Sequence, residues 1–173
     1  DKVYWEKGFL PAKPSDQPEW VKEVGFGRQS VAITLENCYD DWCMSILAKE
    51  LNKEEDYQYY LKRALNYQNV FDTATGFMRP KTADGRWIEP FDPIWSGGQG
   101  RREFYTENNG WNYTWYVPHD VEGLIGLMGG REKFTDKLQT MFETNVPLYQ
   151  KYDFLKQYPD MTGWIGMYSH GNE

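Results

Sequence analysis

The sequence has little of what most metal, thiol and nucleic-acid chemistry requires. Its 173 residues hold two cysteines and two histidines. Two cysteines are too few for a disulfide framework. Cys38 and Cys43 are five apart, which on a helix sets them roughly 140° from each other around the axis, so free, buried thiols are expected. No His-x-x-x-His or Cys-x-x-Cys spacing supports zinc. No Gly-x-Ser-x-Gly stretch supports a serine nucleophile, and no Gly-x-x-x-x-Gly-Lys loop supports phosphate binding. "GLIGLMGG" has glycines but no strand before it, which argues against a dinucleotide site. Basic blocks are missing too. The net charge is −7, so the electrostatic footprint of a nucleic-acid binder is absent. No run is apolar enough to span a membrane. No repeat of fixed period points to a solenoid. There is no signal peptide and no initiating Met, and the chain stops at "SHGNE". It reads as a trimmed piece of something longer, so the missing leader does not decide the compartment.

Aromatic rings are plentiful. They make up 17% of residues, with eight Trp and thirteen Tyr, yet the mean hydropathy is −0.79. Much of the apolar content therefore sits in rings with polar tips, which stack on flat faces while the tip stays wet. Sugar sites use such rings, and so do ordinary cores. At 173 residues one domain with a sizeable core is expected.

Residues 1–29 carry several Pro and Gly and no sustained period. They read as an extended lead-in with a short helix near "QPEWVKEV". Ser30, an N-cap candidate, opens "SVAITLENCYDDWCMSILAKELN". On a helical wheel Val31, Leu35, Cys38, Trp42 and Ile46 share one face, and Ile33, Met44, Leu47 and Leu51 the opposite one. A helix apolar on two sides is expected to be buried on both. Asp40 falls on the second face, where a buried carboxylate needs a partner or a polar cavity. Asn52 with Glu55 resembles a capping box for a one-sided helix in "KEEDYQYYLKRALNYQNVFD", with Tyr57, Tyr60, Leu61, Ala64, Leu65 and Phe71 inward. The short link makes the pair antiparallel. Residues 73–100 are loop-like, punctuated by "ADGR" and "SGGQG", and long irregular stretches are often functional. Helical pattern returns in "YTENNGWNYTWYVPHD". It continues from Asp120, an N-cap, through "VEGLIGLMGG", and then in "GREKFTDKLQTMFET" with Phe134, Leu138, Met141 and Phe142 inward. Strand signals are weak, so the expectation is mostly helix with long loops.

Several residues are suited to chemistry. Glu107 stands between Tyr105 and Trp111, where rings raise a carboxyl pKa toward that of a general acid. Its plainer roles are a surface or capping carboxylate, and Glu103 competes with it. Asp40 and Asp41 point to different sides of a helix and so do not share a proton. One suits sugar hydroxyls and the other a salt bridge, or both are ordinary helix polarity. His119, after Pro118, either orients a ligand or caps a helix. Asn108, Asn109, Asn112, Asn172 and Glu173 offer the oxygen ligands that calcium takes, or are solvated surface groups.

Three stretches together, "TLENCYDDWCMSILAKELN", "DPIWSGGQGRREFYTENNGWNYTWYVPHDVEGLIGLMGG" and the terminal "HGNE", resemble glycoside hydrolase family 92, the exo-acting, calcium-dependent, inverting α-mannosidases. The resemblance runs from about Ser30 to the last residue. It implies a mainly α chain forming part of an (α/α)6 barrel, incomplete here, with residues 30–173 as the N-terminal portion of that catalytic domain. The family's acid-bearing segment is Glu-Gly-Asn-Ser-Trp-Gln-Tyr before Val-Pro-His-Asp. It implies Glu107 as general acid, with Asn109, Trp111 and Tyr113 matching and Asn108, Gly110 and Asn112 departing. The last departure shortens a Gln to an Asn. By the same resemblance Asp40, Asp41, Trp111, His119 and His170 contact the sugar, and Asn109, Asn112, Asn172 and Glu173 bind calcium.

The family's general base lies in a Gly-Asn-Asp-Asp segment that this chain lacks. Inverting hydrolysis needs two carboxyl groups, so the isolated chain is expected not to turn over substrate. The implied substrate is a mannose-containing glycan, and the implied compartment is periplasmic or extracellular. Faces left open in a partial barrel favour self-association. A non-catalytic carbohydrate-binding helical domain is the alternative reading.

Overall fold

The computed structural model describes residues 2–14, 16–17, 19–22, 26–94, 104–106 and 108–143. Within them the chain is mainly helical, with two small two-stranded sheets. A short helix α1 (Lys2–Lys7) precedes a hairpin of β1 (Trp20–Val21) and β2 (Phe26–Gly27). The early helix therefore lies at the very start, and a strand stands where "QPEWVKEV" suggested a helix.

The longest element is α2 (Ser30–Glu50). Ser30 does not cap it, because Gln29 is the cap residue, in the left-handed region at φ 48°, and the Ser30 hydroxyl has no hydrogen-bond partner among the described residues. The first-turn N–H groups are met from outside instead. The Phe104 carbonyl accepts from Val31 N at 3.0 Å and Ala32 N at 3.2 Å. A helix start leaves four such donors without internal partners, and a carbonyl aimed at them is a direct way to satisfy two.

The buried side of α2 runs through Val31, Leu35, Cys38, Asp41, Ser45 and Ala48. It drifts away from Trp42 and Ile46 toward the small Ser45 and Ala48. The opposite face departs further from expectation, as Ile33, Met44, Leu47 and Leu51 stay 37–58% exposed.

Asn52 does not open the following helix; it closes α2. It sits at φ 55°, with Asn52 N on Lys49 O and Lys53 N on Ala48 O, the pair of bonds of a Schellman ending. α3 (Glu54–Ala64) then turns back. Lys49 lies over Tyr57 at one end of the pair and Asp41 meets Arg63 further along, an antiparallel register. The helix tightens to 3-10 geometry over Leu65–Val70, where Tyr67 and Val70 turn inward and Leu65 is left exposed.

β3 (Phe71–Asp72) and β4 (Phe77–Met78) form the second hairpin. Much of residues 73–94, expected as loop, is organised around the buried Arg79. Its guanidinium donates to Asp72 at 2.8 Å, the Ile88 carbonyl at 3.0 Å and Glu89 at 2.6 Å, and lies 4.4 Å from the Phe91 ring centroid. Three short helices follow: α4 (Gly110–Tyr113), α5 (Val121–Leu127) and α6 (Arg131–Glu143). Asp120 caps α5 as expected, accepting from Gly123 N at 3.0 Å, and its other oxygen accepts from the Tyr67 hydroxyl at 2.8 Å. A Cβ at position 123 would collide with both groups, so glycine is required there. On α6, Met141 is buried, whereas Phe142 points outward. The main core joins Val31, Leu35 and Cys38 to Tyr67, Val70, Met78, Phe104, Val117 and Leu124.

Burial pushes the Asp72 carboxyl up, but the bonds from Arg79, Ala74 N–H and Thr75 hold it below the usual range. The stabilisation is thus present above the unfolded-state pKa of ~3.9 and is lost as pH falls through the lower folded value. Replacing Arg79 with Met strands Asp72 and should cost about 3–5 kcal/mol in urea unfolding at neutral pH. The variant's stability should then fall less steeply than wild type on acidification.

Candidate functional site

The first-turn bond to Phe104 has a consequence for the site. It starts the 104–119 segment beside the N-terminus of α2, and the segment then travels along that helix. Phe104 meets Val31 and Ala32. Further on, the Tyr116 hydroxyl feels the charges of Glu36 and Asp40. His119 lies at 6.2 Å from Tyr39 and 6.4 Å from Trp42, centroid to centroid. The two stretches singled out in the sequence, "YDDW" and "ENNGWNYTWYVPHD", are therefore neighbours in space.

Local bonds fix the segment. Thr106 donates to the Gln29 side chain at 2.9 Å, and Tyr105 donates to the Met78 carbonyl at 2.7 Å. Asn109 caps α4, its Oδ1 accepting from Trp111 N at 2.9 Å and Asn112 N at 3.2 Å. Gly110 N donates to the Pro93 carbonyl at 2.9 Å. Thr114 accepts from Met78 N at 3.2 Å, tying α4 to β4. Glu107, Glu103, His170, Asn172 and Glu173 lie outside the described residues.

The adjacent carboxylates of α2 have separate fates. Asp41 is buried, bonded to Arg63 Nε at 3.0 Å and to the Tyr4 hydroxyl at 3.4 Å. Burial pushes its carboxyl up against the pull of Arg63. The Arg63 guanidinium is itself wrapped by the rings of Tyr4, Trp5, Tyr59 and Tyr60 at 5.3–5.8 Å. Asp40 is exposed on the side of α2 that Tyr116 approaches. Glu36 stands one helical turn before it, its carboxyl pushed up by burial and by the Asp40 charge. Burial, then Glu36 and Asp40, raise the Tyr116 phenol. Glu36 and Tyr116 had been passed over; the i, i+4 spacing of Glu36 and Asp40 was the available signal.

His119 Nε2 is 2.9 Å from the Ala64 carbonyl. That oxygen can only accept, so Nε2 carries the proton and the ring is held by the end of α3. Trp111 turns the other way, edge-to-face with Phe77 at 4.8 Å. The Lys137 amine lies 3.3 Å from the Phe77 centroid and 4.6 Å from that of Trp111, contacts worth about 0.5–2 kcal/mol each. Burial lowers its pKa to about 8.

The Asn112 Oδ1 is buried with no hydrogen-bond partner among the described residues, a spare oxygen of the kind a hard cation takes. The Asn109 Oδ1 is already committed to its cap. Among the described residues no group of three His, Cys, Asp or Glu side chains gathers to hold a metal. Cys38 is buried, with its thiol pushed up to about 12 chiefly by burial, whereas Cys43 is exposed, so only one of the two thiols is buried as expected.

A helical frame that presents carboxylates, a phenol and half-exposed rings on one side suits polyhydroxylated ligands, which need flat apolar faces and hydroxyl acceptors together. The chain belongs to glycosyl hydrolase family 92, whose catalytic-domain model matches residues 2–173. It is similar to a family GH92 α-mannosidase from Bacteroides thetaiotaomicron, solved in complex with mannoimidazole. The identity is 36% and the TM-score 0.75, over 99% of this chain and 21% of that one. An inverting mannosidase of the same family from Bacteroides thetaiotaomicron is 33% identical, with a TM-score of 0.68, over 92% of this chain and 20% of that one. An uncharacterized secreted glycosidase from Arthroderma benhamiae is 32% identical over 80% of this chain and 20% of its own length. The chain thus spans about a fifth of the length of these relatives. Among the described residues no helix is long and apolar enough to cross a membrane.

The split between the two carboxylates gives a direct check. Asp41→Ala leaves Arg63 unpaired and should cost about 3 kcal/mol, the low end for a buried pair because Arg63 is partly exposed. Asp40→Ala should stay within about 0.5 kcal/mol. Chemical denaturation of the two variants compares them.

Proposed function

We propose that the full-length protein carrying this sequence is an inverting, calcium-dependent exo-α-mannosidase that releases mannose from glycans outside the cytoplasm. In this reading residues 30–173 are the N-terminal portion of an (α/α)6 catalytic barrel, α2 an inner helix and α3 its outer partner. The observation that carries the proposal is the alignment of the 104–119 segment with the Asp40 face of α2. That alignment gathers a carboxylate, rings and an oriented imidazole beside the stretch that contains Glu107.

The residues divide the work as follows. Glu107 protonates the departing glycosidic oxygen. Asp40 accepts hydrogen bonds from sugar hydroxyls, while Asp41 acts from behind, keeping α2 and α3 in register through Arg63. His119 and His170 contact hydroxyls, and Trp111 supports the wall of the site. A second carboxylate outside this chain activates water on the opposite face, about 6.5–9.5 Å away in inverting enzymes. The 173-residue chain supplies one member of that pair and is inactive alone.

Asn112, whose buried oxygen has no hydrogen-bond partner among the described residues, would hold calcium together with Asn172 and Glu173. Asn109 contributes mainly by capping the helix that carries Asn112. The chemistry a bound calcium supplies is a hard positive centre for vicinal mannose hydroxyls, favouring a flattened ring and so the oxocarbenium-like transition state. The secreted relative supports a location outside the cytoplasm.

Mannose release from an α-1,2-mannobiose, followed by proton NMR on the full-length protein, tests the reading. β-Mannose should appear first, and chelator should abolish release. Glu107→Gln should slow release about 10²–10⁴-fold. Release unchanged in that variant moves the acid elsewhere, with Glu103 next. Binding of mannosides without release would favour the non-catalytic reading. The exposed face of Ile33, Met44, Leu47 and Leu51 further predicts that the isolated 173-residue chain self-associates. A monodisperse monomer in sedimentation would oppose that.

A further inference from the structure

Lys137 has a place that the reaction as described leaves unexplained. Its amine sits in the angle between two perpendicular rings, 3.3 Å from the Phe77 centroid and 4.6 Å from that of Trp111. A Cβ on Gly76 would stand 3.5 Å from Nζ, so the turn between β3 and β4 closes over it. Among the described residues Lys137 has no hydrogen bond or ion pair. The amine therefore gives up water without gaining an oxygen partner, a cost that a methionine packed on the same rings would avoid.

What the amine touches suggests why the cost is kept. Trp111 belongs to α4, a helix of four residues, too short to hold its own conformation. Its anchors are the Asn109 cap, the bonds to Pro93 and Met78, and the Trp111 ring. One turn along α6, other side chains hold a different ring. Met141 accepts from Trp115 Nε1 at 3.1 Å, and Phe134 lies edge-on to Trp115 at 5.1 Å. Those contacts secure α6 whatever residue stands at 137. Lys137 is thus spare for docking and specific to the first turn of α4, two residues beyond Asn109 and four beyond Glu107. An ammonium is attracted to the centre of each ring face, so it orients both rings where an alkyl group only fills space.

We propose that Lys137 is a positioning residue for hydrolysis: from α6 it fixes the Trp111 ring against Phe77, and so the segment that carries Glu107. The proposal rests on the mannosidase reading above, and its test separates the two. The full-length protein is made with 5-fluorotryptophan as wild type, Lys137→Met and Lys137→Arg. A Trp111→Phe variant assigns the resonance of residue 111. Wild type and Lys137→Arg should each give one narrow fluorine line for Trp111, and Lys137→Met a broadened or doubled one. In mannobiose hydrolysis Lys137→Met should lower kcat about 10-fold or more, as small misplacements do. KM should change less than about twofold, the pattern of an interaction realised in the transition state, and Lys137→Arg should restore most of the rate. The urea midpoint of Lys137→Met should stay near wild type.

A narrow Trp111 line in Lys137→Met would overturn the ring-fixing role. So would an unchanged kcat in that variant, or a kcat loss that tracks a fallen urea midpoint and is not rescued by arginine, which would make the residue merely structural. A wild-type protein inert toward every mannoside would overturn the functional reading and the kinetic part with it, while the fluorine lines still decide whether Lys137 holds Trp111.

Discussion

The rest of the site depends on one carbonyl. Phe104 O occupies the place that a capping side chain takes in most helices, satisfying the N–H groups of Val31 and Ala32. A local cap would have stabilised the start of α2 and said nothing about the remainder of the chain. A cap supplied from more than seventy residues away stabilises the helix only when the later segment is in position. The start of α2 and the course of residues 104–119 are therefore one event, and the Tyr105 bond to Met78 brings the second hairpin into it. Side-chain chemistry from two distant parts of the chain shares one face because the Phe104 carbonyl ties the loop to the start of the helix.

Much of the helical frame was legible from periodicity. α2, α3, α6 and the Asp120 cap follow from apolar spacing and capping preference. What escaped were features in which a distant partner outvotes the local signal. Ser30 looked like a cap, but Phe104 took the role. Asn52 looked like the opening of a helix, but its tolerance of the left-handed region made it the closing residue of the previous one. The stretch after Met78 read as loop because its order comes from one buried guanidinium, and Arg79 leaves no periodic trace. Next to the loop, the different settings of Asp40 and Asp41 were legible as two directions on a helix. Which one faces Arg63 depends on where α3 lies, and the wheel does not encode that. The exposed second stripe of α2 reflects the limit of any argument from one element: apolar spacing identifies a face that wants cover, not the segment that supplies it.

Family membership and local chemistry bear on each other at the segment that resembles the family's acid-bearing one. This chain departs from the family pattern at Asn108, Gly110 and Asn112, and each departure has a visible setting. Asn108 is buried and accepts from Asn109 N at 3.1 Å. Gly110 packs so closely that a Cβ would lie 3.3 Å from the Pro93 backbone. Asn112 holds a buried oxygen with no partner among the described residues. The first two are accommodated by contacts with the backbone of Asn109 and Pro93. The third, a shorter side chain than the family's Gln, leaves an acceptor oxygen unused among the described residues.

The bond between His119 and Ala64 carries a further restriction. With Nε2–H committed to a backbone carbonyl, that tautomer keeps a lone pair at Nδ1, and the atom is buried with no partner among the described residues. Whatever meets it has to donate. A hydroxyl satisfies the rule by rotating its hydrogen, and an ammonium or amide N–H satisfies it outright. The end of α3, by holding the Nε2 proton, thus decides which ring atom is left to receive a donor.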